Sequence, residues 1–105
     1  MTKQIHFCGT SLDDLREFPD EARQDAGYQL DRVQNGLDPT DWKPMKTVGP
    51  GVIEIRIKEV SGAFRVFYVA NRDDKVYVLH AFRKTTQRTE KRDIELARAR
   101  LKDIG

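Results

Sequence analysis

The residues best suited to chemistry in this 105-residue chain are cations spaced through its second half. Arg56 and Lys58 sit in the alternating run Val52-Ile53-Glu54-Ile55-Arg56-Ile57-Lys58-Glu59, and Arg65 opens the apolar run that follows. His80, Arg83 and Lys84 close a third run, Lys46 lies in a Pro/Gly-rich segment upstream, and Arg88 follows downstream. The aromatic residues Phe67, Tyr77 and Phe82 are interleaved with them. Lys and Arg contact phosphate oxygens, and aromatic rings stack on unpaired bases, so this set suits RNA. Other chemistries lack their parts. The single cysteine, Cys8, and the two distant histidines, His6 and His80, give no metal-ligand spacing, and no metal or other cofactor is expected. No P-loop or dinucleotide glycine pattern is present, and Ser11 and Ser61 have no neighbouring base to activate a nucleophile.

Strand register decides which of these side chains meet. If Ser61-Gly62 is a two-residue turn, Lys58 faces Arg65 and Arg56 faces Phe67, all on the side opposite Ile53, Ile55 and Ile57. Like charges directly across a strand pair are destabilising, and a bound polyanion would offset them. The plain alternative is a solvated face neutralised by Glu54 and nearby acids. In the third run His80 and Lys84 share one side and Arg83 takes the other. An odd register puts His80 with Arg65, and an even one puts it with the isoleucines as a structural histidine.

The elements that must position these residues are legible in outline. Ile5-His6-Phe7-Cys8 reads as a short strand, with Cys8 as a small core or edge residue. Ser11 is a plausible N-cap for a short helix with Asp13 and Asp14 in its first turn, ended by Pro19. Ala22, Ala26, Leu30 and Val33 make one face of a second helix that stops at Asn35-Gly36. Residues 37–51 read as a basic loop anchored by Trp42, Met45 and Val48. Strands follow over 52–59, Phe64 to Val69 and Val76 to Phe82, with a second turn inside Asn71 to Lys75. Thr89 is the expected cap of a closing helix with the stripe Ile94, Ala97 and Leu101. The fold class is α+β: an N-terminal helical pair packed on an antiparallel β-meander sheet with a C-terminal helix. The helices are expected on one sheet face, leaving the other polar and free for a site.

Length points to one domain over residues 1–105. Residues 1–41 hold four Lys/Arg against nine Asp/Glu, residues 42–82 seven against four, and residues 83–105 eight against four. An acidic first part joined to a basic remainder points to a polyanionic partner for the latter. The lone cysteine fits a reducing compartment, and no signal peptide or membrane span is apparent, so a cytoplasmic location is expected.

The stretch Phe64-Arg65-Val66-Phe67-Tyr68 through Val78-Leu79-His80-Ala81-Phe82-Arg83-Lys84-Thr85-Thr86-Gln87 resembles the HigB-like, phage-derived branch of the RelE superfamily of bacterial toxins. Lys46-Thr47-Val48, the strand Gly51 to Arg56 and the closing basic helix agree, so the likeness spans nearly the whole chain. It implies a RelE-like fold, a ribosome-dependent, metal-independent endoribonuclease acting on mRNA, and a cognate antitoxin, of helix-turn-helix type, through which alone operator DNA is bound. Carried over by position, Arg56, Arg65, His80 and Lys84 become the catalytic set. Lys46, Lys58, Phe67, Arg83 and Arg88 become RNA contacts. Arg56 and Arg65 would stabilise the phosphate, and His80 or Lys84 would transfer the proton. The chain departs from some relatives in having no tyrosine near the end of the closing helix. The alternative function is a non-catalytic RNA- or antitoxin-binding module, either a degenerate toxin or a transcriptional co-repressor.

Overall fold

The computed structural model describes residues 2–104. Among them the elements run β1 (Gln4–Phe7), α1 (Ser11–Arg16), α2 (Asp20–Gln34), β2 (Trp42–Pro44), β3 (Ile53–Glu59), β4 (Gly62–Arg72), β5 (Lys75–Lys84) and α3 (Lys91–Ile104). The strands form one sheet in the order β1-β5-β4-β3-β2. The expected meander β3-β4-β5 is antiparallel, β2 adds an antiparallel edge, and β1 joins β5 in parallel at the other edge.

Strict alternation in β3 sends Ile55 and Ile57 to one face, where they meet the α2 stripe Ala22, Ala26, Leu30 and Val33. Phe64, Val66 and Tyr68 from β4 and Val76 and Val78 from β5 complete this core. Ser11 is the first residue of α1 rather than its cap. Its hydroxyl is fully buried and donates to the Val78 carbonyl, 3.2 Å away, which ties α1 to β5.

The helices do not share one face, contrary to the sequence-based expectation. α3 lies on the opposite side, where Ala97 and Leu101 pack with Phe67, Val69 and Leu79 and with Met45, Val48 and Val52 from around β2. The cause is visible in β4, which is buried without interruption from Phe64 to Val69 and so needs cover on both faces. The cover is partial: α3 closes this face only over β5, β4 and the 45–52 loop. The loop fits closely, since a side chain at Gly49 would collide with Leu101.

Two registers differ from expectation. The β3–β4 hairpin turns at Val60-Ser61, one residue early, because the Glu59 carboxylate accepts from the Ser61 N–H and hydroxyl. Arg56 therefore faces Arg65, and Lys58 faces Ala63. The side assignment survives, since the pairing moves by two residues. On β5 a bulge sits opposite Phe67/Tyr68: Phe67 pairs with His80 and Tyr68 with Val78, leaving Leu79 as the extra residue. Leu79 and His80 thus both point to the α3 side, and His80 joins the Arg65 face. The second turn falls at Asp73-Asp74, both with positive φ, as a two-residue hairpin of twisted strands demands.

Candidate functional site

On the α3 side of the sheet the meander presents its side chains in rows across the strands. One row is Lys43, Glu54, Phe67 and His80; the next is Arg56, Arg65 and Phe82; the third is Lys58, Ala63 and Lys84. α3 covers the Phe67 and His80 end of the first row. The rest faces solvent, and the small Ala63 leaves a depression into which Arg56, Arg65 and Lys84 project.

The depression is one of two adjoining clefts. It measures about 550 Å³ and is lined by Arg56, Arg65, Lys84 and the Thr85-Thr86-Gln87 backbone turn. The second, of about 600 Å³, runs beneath the β2 edge and is lined by Lys43, Lys46, Thr47, Arg88 and the apolar Ile94. Lys84 and Gln87 line both, which makes Lys84 the hinge point of the groove. No Asp or Glu among the described residues lines either cleft. α3 holds the outer wall in place: Arg98 Nε donates to the Thr47 carbonyl at 2.7 Å, fixing the loop that carries Lys46.

Two arginines directly opposed on neighbouring strands repel. A counter-charge comes from Glu54 in the adjacent row, which is 0% exposed. Its Oε1 lies 3.7 Å from Arg65 Nε and 3.8 Å from Lys43 Nζ. Both are longer than hydrogen bonds, and neither carboxylate oxygen has a hydrogen-bond partner. Nε of Arg56 and of Arg65 are likewise unpartnered, although Arg65 Nη1 donates to the Phe64 carbonyl at 3.0 Å. The guanidinium donors are positioned but largely unspent. Burial pulls the Arg65 pKa below its usual value, and Glu54 opposes that shift. Burial, then the Arg65 charge, also lowers the pKa of Lys84, with Glu54 again opposing. An amine surrounded in this way gives up its proton more readily than an exposed lysine.

A family model for phage derived protein Gp49-like (DUF891) matches residues 13–102. The chain belongs to this Gp49-like family. Among solved structures, the free state of an E. coli RelE toxin carrying two arginine-to-alanine substitutions is similar over 100% of both chains, with a TM-score of 0.67 and 17% identity. The Gp49-like chain therefore has the RelE-like α+β fold. No curated protein matches it.

Against this fold the expected site residues of the Gp49-like chain separate into groups. Arg56, Arg65 and Lys84 come together, and Lys46 and Arg88 line the adjoining cleft. Lys58 shares their face, exposed toward the hairpin tip. Phe67 does not fit an RNA contact, since it is 0% exposed and packs edge-on against Phe82. Arg83 points to the other face, over the Phe64 ring, with a donor on the Ser61 carbonyl. His80 is withdrawn from the groove. It is 6% exposed and stacks on Phe82, and its Nε2 lies 2.8 Å from Asp93 Oδ1 on α3. An ionised carboxylate only accepts, so the imidazole carries a proton on Nε2, and the buried Nδ1 is left without a partner. His80 is a latch between β5 and α3 in this geometry. Cys8 is the small buried residue anticipated.

Sequence reasoning missed Lys43, Glu54 and Gln87 as site components. The 37–51 segment read as loop because β2 is three residues long and ends in Pro44, which an edge strand tolerates. Glu54 was legible only as the one acid on the cationic side of β3. Among the described residues no three His, Cys, Asp or Glu side chains are placed to hold a metal ion. No described helix is long and apolar enough to cross a membrane.

Proposed function

We propose that this Gp49-like chain is the toxin of a type II toxin–antitoxin pair, a ribosome-dependent endoribonuclease that cuts mRNA in the groove between Arg56, Arg65 and Lys84. The supporting observation is the groove itself: six cations, no lining carboxylate, and unspent guanidinium donors, on a RelE-like fold. In this reading the substrate's 2′-oxygen attacks the adjacent phosphorus and the bond to the 5′-oxygen breaks. A 2′,3′-cyclic phosphate and a 5′-hydroxyl result. Arg56 and Arg65 stabilise the charge on the phosphoryl oxygens, and Lys84 donates the proton to the leaving 5′-oxygen. The 2′-hydroxyl proton passes to solvent, because no side chain lining the groove is a base at neutral pH. Weak acid–base equipment suits an enzyme whose substrate is held in line by the ribosome. The partners follow from the same reading: mRNA on the ribosome, and an antitoxin that silences the toxin and carries it to operator DNA. The place of action would be the cytoplasm.

Two observations favour a second reading, a degenerate toxin that binds without cutting: His80 is engaged with Asp93, and α3 carries no tyrosine. Purified protein added to ribosomes programmed with a defined mRNA separates the two. Cleavage that needs ribosomes and leaves 2′,3′-cyclic ends supports the enzyme. Intact mRNA with the protein bound supports the binder.

A further inference from the structure

Glu54 is the most anomalous group in the molecule. It is a carboxylate with 0% exposure, and neither oxygen makes a hydrogen bond. A buried charge without such partners is costly, and removing one member of a buried charge set is destabilising because the others are left uncompensated. Its ion-pair partners are cations, with Asp41 a second acid nearby whose charge also acts on Arg65. Lys43 is its partner across β2–β3, Arg65 Nε stands at 3.7 Å, and Arg56 follows two residues along the same face of β3. Its partner on the β4 side, Phe67, seals it from the α3 side. With 0% exposure and no part in lining either cleft, the carboxylate does not touch a substrate placed in the groove.

Resting on the toxin reading above, we propose that Glu54 is a positioning residue, a buried counter-anion that holds Arg65 and Lys43, and through its charge steadies the Arg56–Arg65 pair, with their donors free for a phosphate. Three features of the geometry fit this role and not that of a base. The ion pairs are long, so Glu54 attracts the cations without occupying their N–H groups. The carboxylate is fully buried and lines neither cleft, whereas Arg65 lines one of them. The two arginines sit directly opposed, a destabilising arrangement that a nearby negative charge offsets, and Glu54 lies in the adjacent row. Glu54 acts on substrate through Arg65 and touches none itself. Its charge also opposes the lowering of the Lys84 pKa by burial, Arg65, Lys43 and Arg56.

The test uses Glu54→Gln, which keeps shape and removes charge. A counter-anion and a base behave differently on this change. Without the anion the groove becomes more positive, so a fluorescent single-stranded RNA should bind at least as tightly as to the native chain. Its affinity should also fall more steeply with salt. Cleavage on programmed ribosomes should drop about tenfold or more, because the arginines are no longer held on line. The alkaline limb of the pH–rate profile should move to lower pH as Lys84 loses its counter-charge. Loss of an acidic limb with the alkaline limb unmoved would make Glu54 the base and overturn the proposal. Equal losses of RNA affinity and cleavage, tracking reduced stability, would make it a structural residue and also overturn it. The double variant Glu54→Gln/Arg56→Gln guards against misfolding of the single one. Removing the repulsion together with the counter-charge should restore native stability, and a double variant no more stable than the single variant contradicts the clamp. If the native chain cuts no mRNA, the toxin reading fails. The clamp is then judged by RNA affinity and by direct NMR titration of Lys84, which should shift down in Glu54→Gln and would overturn the proposal by staying put.

Discussion

The two faces of the five-stranded sheet share the same central strands and differ in what covers them. On the α1/α2 side every inward residue of β3 is an isoleucine, and the helices close over it. On the α3 side the same strand presents Glu54, Arg56 and Lys58, and the single helix reaches only part of the sheet. Stability is concentrated on the first face. On the second, polar atoms remain buried and unpartnered at Glu54, Arg56, Arg65 and His80, a pattern that stabilises nothing by itself. Native chains break the rule that buried polar groups are hydrogen-bonded mostly at functional sites. The difference assigns folding to one face and binding to the other, and substitutions can break or sharpen that division.

The largest expected effect is on the open face. Lys84→Ala should reduce ribosome-dependent cleavage by about 100-fold or more, in the range seen when a charge-stabilising or proton-donating group is removed. Its melting temperature should stay close to the native value, as for other substitutions at partly exposed positions. The native rate should also fall at alkaline pH, since the donor must be protonated. The midpoint should lie below the ordinary lysine value of 10.5, because burial and Arg65 lower this pKa. A flat profile would remove Lys84 from proton transfer.

On the closed face the order reverses. Ile55→Ala, at a fully buried site, should cost about 2–5 kcal/mol by denaturant unfolding. Cleavage per folded molecule should change little. A large rate loss at full folding would blur the two faces.

His80 tests the boundary between them. Asp93→Asn keeps size and weakens the bond to His80, and should cost about 1–3 kcal/mol with a several-fold smaller rate loss than Lys84→Ala. A rate loss as large as that of Lys84→Ala, in a folded protein, would return His80 to the catalytic set.

These substitutions also mark what the sequence could and could not disclose. The β3 alternation and the α2 stripe are local patterns, and both were readable. So was the gathering of Arg56 and Arg65 on one side, which survives a turn misplaced by one residue because side assignment depends only on parity. The side of His80 was not readable, since a bulge at Leu79 changes parity partway along β5 without altering composition. The second helical layer was signalled by the near-continuous apolar run of β4, a mark of burial on both faces. Lys43 and Glu54 became visible as site residues only with the β2–β3 pairing, a tertiary contact.

The smallest effects should come from cations off the groove. Lys58→Ala, at the exposed hairpin end, should alter cleavage by about threefold at most while slightly reducing the salt dependence of RNA binding.

The most direct measurement compares Arg56→Ala with Arg83→Ala, two substitutions that remove the same charge from opposite faces. Cleavage of ribosome-bound mRNA is read for both, with folding checked by circular dichroism. Arg56→Ala should lose about 100-fold or more. Arg83→Ala should stay within about threefold of native, losing its contact over Phe64 and its bond to the Ser61 carbonyl, both away from the groove. Equal losses, or the larger loss at Arg83, would contradict the assignment of the open face as the site of cleavage.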